Sequence, residues 1–185
     1  DTIAIGRSAL SALTSGSFNT ALGALAIASV TTNGGNTGVG AFALNQATGA
    51  NNTTLGFQAG RYLTTADNNT ALGYLAGGGT GVVTGDDNTS VGASAGLRLT
   101  SGARNTLIGT GAGDALTSGT ENVALGHAAL STNTLGQRAV AIGFYALNAQ
   151  TNAAGVNTYN VAVGALAGEK ITTGVQNTLI GGLAG

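Results

Sequence analysis

The sequence predicts an all-β fold, a parallel β-solenoid of about eleven coils of ~17 residues each. Three observations predict it. A glycine preceded by Ile, Leu or Val recurs at a nearly constant interval, an alanine lies three residues after each of these glycines, and the residues before them alternate with a period of two. We call these recurring glycines the anchor glycines. Positions within a coil are numbered from the anchor, negative before it and positive after it. The anchors are Gly6, Gly23, Gly40, Gly56, Gly73, Gly92, Gly109, Gly126, Gly143, Gly164 and Gly181.

Each anchor is predicted to end a short strand. Position −1 is aliphatic in every coil, as in Leu22 and Val91, and position −3 is β-branched, as in Thr20 and Val140. β-Branched residues at alternate positions are typical of strands. A helix is the competing interpretation of ALGALAIA (21–28), but the recurring glycines and the Asn-Thr pairs oppose it.

Turn residues separate the predicted strands. Asn at position −4, as in Asn88 and Asn122, suits a corner because its side chain can bond local backbone, and the anchor glycine suits a second corner. A third turn is predicted at LTSG, as in 99–102 and 116–119. With positions −3 and −1, the alanine at +3 and the Leu of LTSG pointing inward, position −2 would point outward.

Position −2 is mostly small and never charged, which would suit a face packed against another chain. We therefore predict that several solenoids associate side by side, as a trimer, through position −2. The predicted interface residues are Ala4, Ala21, Ala71, Ala124, Ala141 and Ala162.

Several phrases resemble the repeats of trimeric fibre proteins. RAVAIG (138–143), YNVAVG (159–164) and DTIAIG (1–6) resemble a phrase of trimeric autotransporter adhesin heads, and NTALGYLAG with NTSVGASAG (69–96) is similar to phage tail-fibre repeats. The resemblance covers the whole chain. It implies a left-handed β-roll with three chains side by side, located outside the cell on a virion tail fibre or a bacterial surface.

Composition excludes several other classes of function. Six basic and seven acidic residues give a net charge of −1, so no cluster of Lys and Arg is available for nucleic-acid phosphates. No cysteine is present for a disulfide, and no apolar run is long enough to insert into a membrane. His127, the only histidine, lacks an obvious partner, and the glycines of GTGAGD (109–114) arise from the repeat. We predict neither an enzyme nor a cofactor.

Charged residues recur at two outward positions. Five residues before successive anchors lie Asp87, Arg104, Glu121 and Arg138, which would form an exposed ladder of alternating sign. Asp67 and Asp86 lie six residues before their anchors, where they are expected either to be solvated or to hold a cation such as Ca²⁺.

Departures from the period are candidate recognition sites, because insertions in solenoids emerge as loops. Two intervals are long, 19 residues after Gly73 and 21 residues after Gly143. The second insertion lies within 149–156. We predict that Gln150 and Asn152, with Tyr159 just beyond, contribute to a glycan contact.

Together these features favour a structural and attachment module of a trimeric fibre, a single repeat domain over 1–185 and a fragment of a longer fibre protein. Its partners would be further copies of itself and a cell-surface receptor or polysaccharide. A self-assembling extracellular filament is one alternative. An ice-binding solenoid is another, because threonine recurs at one position: Thr14, Thr31, Thr48, Thr64, Thr100, Thr117, Thr134, Thr151 and Thr172.

Overall fold

The computed structural model describes all 185 residues and contains eleven strands and no helix. The strands form one parallel sheet in chain order, and each pairs with the next in the register that the anchor glycines predict. The predicted parallel β-solenoid is therefore confirmed, with one strand per coil. The strands are β1 (Ile3–Ile5), β2 (Thr20–Leu22), β3 (Thr37–Val39), β4 (Thr53–Leu55), β5 (Thr70–Leu72), β6 (Thr89–Val91), β7 (Thr106–Ile108), β8 (Val123–Leu125), β9 (Val140–Ile142), β10 (Val161–Val163) and β11 (Thr178–Ile180).

The anchor glycine ends each strand for two physical reasons. The anchors have φ between 125° and 139°, a region that side chains disfavour. In addition, a Cβ on Gly23 would lie 2.5 Å from the carbonyl oxygen of Gly40 in the next coil. Only glycine meets both requirements, which explains why the glycine recurs so strictly.

The segment after each anchor contains left-handed residues that are not glycine. Leu25 and Ile27 have φ of 57° and 47°, a conformation that costs roughly 1–2 kcal/mol for a residue with a side chain. Neighbouring coils hold it: the Leu25 N–H donates to the Arg7 carbonyl at 2.9 Å, and the Ile27 N–H donates to the Ala43 carbonyl at 3.0 Å. Of 114 backbone hydrogen bonds, 94 lie outside the strands, so the turns also join coil to coil.

The core is narrow, and the sizes of its side chains are complementary. Position −2 points inward and shares the interior with position +4. The two positions are never both large: Ala21 at position −2 is accompanied by Ile27 at position +4, and Leu107 by Gly113, whereas Ala71 and Gly77 are both small. A Cβ on Gly38 would lie 2.7 Å from Ile27 Cγ1, and one on Gly113 would lie 2.7 Å from Leu107 Cδ2. The interior therefore has room for at most one large side chain per coil at this level.

Other core positions agree with the sequence analysis. The alanine at position +3 is buried in the nine coils from Ala26 to Ala167, and the Leu of the LTSG turns is buried at Leu99 and Leu116. No helix is present that is long and apolar enough to cross a membrane.

Position −4 forms a buried asparagine column rather than an exposed corner. The Asn105 Oδ1 accepts the backbone N–H of Asn122 at 3.0 Å and its Nδ2 at 3.1 Å, and the Asn105 Nδ2 donates to the Gly119 carbonyl at 2.9 Å. The same pattern of amide bonds between coils recurs from Asn19 to Asn122. Asparagine at this position therefore satisfies backbone groups of a neighbouring coil, and the left-handed residue is the one before it.

Candidate functional site

The outer surface of the sheet is a continuous face made by positions −3 and −1. Neither position is buried in any strand, whereas position −2 is buried in every strand from β2 to β10. Leu22, Leu55 and Leu125 are each more than 40% exposed, which is unusual for so regular an apolar column. We call this surface the assembly face; its −1 column is Ile5, Leu22, Val39, Leu55, Leu72, Val91, Ile108, Leu125, Ile142, Val163 and Ile180.

The predicted interface at position −2 is wrong, because those side chains lie inside the coil. Ala4 alone is exposed, since its strand is the first of the stack. Five of the six predicted interface residues are at most 1% exposed: Ala21, Ala71, Ala124, Ala141 and Ala162. Their small size fits the narrow core, and the aliphatic residues expected inside form the outer surface instead. The alternation of residue types before each anchor predicts the correct period of two, but the side chains at positions −3, −2 and −1 point in the opposite directions to those predicted.

The assembly face is long and free of charge, and its aliphatic −1 column lies beside a −3 column that is Thr in seven of the eleven strands. Positions −3 and −1 contain only Thr, Val, Ile and Leu in all eleven strands. With strands about 4.8 Å apart, the face is roughly 50 Å long and about 10 Å wide, or on the order of 500 Å². Contiguous apolar patches of this size on a soluble chain commonly mark interaction sites.

Two aromatic clusters border the assembly face at positions +1 and +2. In the first, the Phe42 and Phe57 ring centroids lie 6.2 Å apart, and those of Phe57 and Tyr74 lie 6.0 Å apart. In the second, His127 stacks on Phe144 at 5.5 Å. The imidazole is exposed and lies among aromatic rings, so His127 belongs to this aromatic border.

The charge ladder has ion pairs at three of its four predicted residues. Glu121 lies between Arg104 and Arg138, with N–O distances of 3.0 Å and 2.6 Å. The hydrogen bond from Arg138 is the main cause that lowers the pKa of Glu121, and Arg104 contributes. The Arg138 guanidinium also donates to the Tyr159 hydroxyl at 3.0 Å. The Asp87 carboxylate instead accepts from the Asn68 side chain at 3.2 Å.

The predicted glycan contact is not available at two of its three residues. Gln150 is fully buried and Asn152 is 7% exposed. The Gln150 Nε2 donates to the Asn152 Oδ1 at 2.9 Å, and the Asn152 Nδ2 donates to the Thr173 carbonyl. Only Tyr159 is exposed. The two amides therefore belong to the interior of the coil, and the prediction that they bind a glycan is corrected.

Two further polar columns bond to the backbone of neighbouring coils. Thr14, Thr48 and Thr117 donate their hydroxyls to carbonyls of the next coil at 2.9 to 3.0 Å, so these groups are not free for ice. The Asp67 carboxylate accepts the Ala50 N–H, and the Asp86 carboxylate accepts the Asp67 N–H. These bonds explain how successive aspartates tolerate one another, and no group of three or more potential metal ligands is present.

Sequence reasoning missed the outward direction of the aliphatic column and the aromatic border. The relation between positions −2 and +4 is a signal that could have found the orientation, because no coil has large residues at both positions, as expected of two positions that share a narrow interior. Comparison with protein-family models, curated proteins and solved structures gives no match.

Proposed function

We propose that this chain is a structural and attachment module of a trimeric fibre outside the cell, on a virion tail or a bacterial surface. The observation that carries the proposal is the assembly face, a charge-free surface with a continuous exposed aliphatic column that runs the length of the solenoid. Exposed to water, its aliphatic column would be unfavourable by roughly 25 cal/mol per Å² of apolar area. Covering it stabilises the chain.

Two further copies of the same chain are the proposed occupants. The side-chain columns repeat once per coil, about every 4.8 Å, and only a partner with the same spacing can match them along the whole face. A parallel copy has that spacing. The resemblance to trimeric fibre repeats favours three chains around one axis, with equivalent coils at the same height.

Adjacent residues of one strand provide a sharp test. Leu72 points into the assembly face and Ala71 points into the core. Leu72→Lys is expected to give a folded chain that no longer associates, because the charge would be buried between chains. Ala71→Lys is expected to unfold the coil, because the core has no room for it. Circular dichroism and multi-angle light scattering would measure both.

The unsubstituted chain is expected to have the mass of three chains, and the exposed substitution Ser101→Lys is the control that should leave that mass unchanged. A stable monomer for the unsubstituted chain would contradict assembly.

Ice binding is the second candidate, now on a different column. Threonine occupies the outward position −3 in six consecutive strands, β2 to β7, with an aliphatic residue beside it. A flat array of hydroxyl and methyl groups at regular spacing suits an ice plane, but only in a chain whose face is uncovered. A monomer with thermal hysteresis that Thr70→Lys abolishes would favour this function over the fibre.

A further inference from the structure

Arg61 is the one arginine of the chain whose guanidinium is held between two aromatic rings. Its Cζ lies 5.1 Å from the Phe42 ring centroid and 5.0 Å from that of Tyr62. Such contacts attract the guanidinium cation electrostatically and restrict its position. The side chain is half-buried, and its buried Nε has no hydrogen-bond partner. The arginine is therefore positioned but not satisfied.

No carboxylate of the chain pairs with Arg61. Both ion pairs of the chain involve Glu121. Arg98 also has an acidic neighbour: burial raises the pKa of Asp114, and Arg98 acts in the opposite direction. Asp67, in the same coil as Arg61, accepts a backbone N–H instead. Arg61 thus keeps an unpaired charge in a chain that carries only six basic residues.

Exposed aromatic surface lies beside this charge. Phe42 contacts both Arg61 and Phe57, and the Phe57 ring is stacked on that of Tyr74 with an interplanar angle of 10°. Phe57 and Tyr74 are 45% and 54% exposed. These residues form a row across three successive coils. We call the set Arg61, Phe42, Phe57, Tyr62 and Tyr74 the Arg61 patch.

A second copy of the chain is a poor occupant of this patch. The assembly face that a parallel neighbour would present contains no acidic residue, so Arg61 would be buried there without a counter-charge. The occupant must instead supply negative charge together with a surface that stacks on rings.

We infer that the Arg61 patch binds an acidic polysaccharide. A carboxylate of a uronic acid unit pairs with the Arg61 guanidinium, a charge-assisted hydrogen bond of the stronger kind. The apolar face of a neighbouring sugar ring covers Phe57 or Tyr74. The chain has no enclosed pocket, and the row runs along the stack, so the surface fits an extended polymer better than a small ligand. This inference rests on the proposed attachment role but not on the assembly face.

The test titrates the full chain with oligosaccharides of hyaluronan, polygalacturonate and alginate, using calorimetry at low and moderate salt. Chitin oligosaccharides serve as the neutral comparison and polyglutamate as the acidic peptide. Binding of at least one acidic oligosaccharide, weakened by salt and absent for both comparison ligands, is expected. Arg61→Gln is expected to weaken it by about tenfold or more, and Arg7→Gln, which removes the same charge elsewhere, by less than about twofold.

A second pair of variants tests the rings. Tyr74→Ala is expected to reduce affinity by about tenfold, and Phe18→Ala, at an exposed aromatic residue outside the patch, to leave it unchanged. Circular dichroism of each variant establishes that the fold is retained. Failure of every acidic oligosaccharide to bind, equal binding of chitin oligosaccharides or polyglutamate, or insensitivity to both Arg61→Gln and Tyr74→Ala would overturn the inference.

Light scattering on the same samples separates the two proposals. A monomer that binds the acidic oligosaccharide through Arg61 would remove the assembly proposal and support the inference. A trimer that fails to bind any of them would do the reverse.

Discussion

Two regions of the solenoid use the same repeat but distribute their amide side chains differently. In the regular region, residues 19–125, the asparagine column is continuous from Asn19 to Asn122, and position +7 is apolar except after Gly73, where Val83 rather than Thr80 pairs with Leu63. In the interrupted region, residues 126–163, Ala139 occupies the asparagine column. Asn133 and Gln150 occupy the apolar position +7 in successive coils and are fully buried. Amides have thus moved from one column to the other.

The two columns differ in whether the neighbouring coil can satisfy an amide. In the asparagine column, each Asn bonds to groups of an adjacent coil, as Asn105 does with Asn122. In the apolar column, the Asn133 Nδ2 and the Gln150 Oε1 are buried without a hydrogen-bond partner. A repeat therefore tolerates buried amides where every coil offers the complementary group, and elsewhere they cost stability.

The interrupted region has compensating contacts on its exterior. Arg138, next to Ala139, bonds to Glu121 on one side and to Tyr159 on the other. These contacts join three successive coils at the level where the internal amide is missing. The insertion within 149–156 lies in the same region.

Removing an amide from the asparagine column is expected to have the largest effect on the free energy of unfolding. Asn105→Ala deletes the acceptor for Asn122 and leaves buried backbone N–H and carbonyl groups unpaired. We expect a loss of about 2–4 kcal/mol in the free energy of unfolding, measured by urea titration. Asn157→Ala, at an exposed asparagine, is the control and should cost less than about 0.5 kcal/mol. Equal effects of the two substitutions would show that the column does not stabilise the stack.

The period and the strands could be predicted from the sequence, because the anchor glycine is required by both φ and close packing. The orientation of the strand could not, since a three-residue strand shows alternation but not which side is inward. Small residues such as Ala71 suit a narrow core and a tight interface equally well.

The polar part of the site was also only partly predictable. The spacing that placed Glu121 between Arg104 and Arg138 follows directly from the period, because every coil repeats the same outward position. Gln150 and Asn152 are predicted to lie at the surface because insertions in solenoids emerge as loops, and their burial depends on how the insertion packs. Arg61 contacts Phe42 from the previous coil, a pairing that becomes visible only once the stack is built.

Restoring the apolar column is expected to stabilise the interrupted region. Asn133→Leu replaces an amide that has an unpaired Nδ2 with the side chain found at Leu116 and Leu99. We expect a gain of about 1–2 kcal/mol in the free energy of unfolding, measured by urea titration. Asn157→Leu, the same change at an exposed position, should give no gain. Asn133→Leu also removes the acceptor of the buried Gly136 N–H, which donates to the Asn133 Oδ1 at 2.8 Å, so a loss would show that this hydrogen bond outweighs the cost of the unpaired Nδ2.

Completing the asparagine column should give a smaller gain. Ala139→Asn would offer an Oδ1 to the Asn160 N–H and an Nδ2 to the Asn122 Oδ1, which already accepts the Ala139 N–H at 3.0 Å. One or two added hydrogen bonds are expected to raise the free energy of unfolding by about 1 kcal/mol. Ala139→Leu, a larger side chain without an amide, is the control and should destabilise. If Ala139→Asn destabilises as well, the insertion occupies the space that the amide needs.

The smallest effect is expected from the exterior ladder, and its signature is pH dependence. Hydrogen bonds from Arg138 and Arg104 lower the pKa of Glu121, so the folded chain favours the ionised carboxylate. The stabilisation is therefore present above the carboxyl's unfolded pKa and is lost as the pH falls through its folded pKa. Glu121→Gln should lower the melting temperature slightly at neutral pH, and the difference from the unsubstituted chain should close on acidification and shrink in high salt. Glu169→Gln, at a half-buried carboxylate outside the ion pairs, should show no such convergence.

Hydrogen exchange would locate the effect of Glu121→Gln within the solenoid. The ladder spans the break at Ala139, so its loss should release backbone amides of the interrupted region before those of the regular region. Equal release in both regions would show that the ladder does not compensate for the missing asparagine.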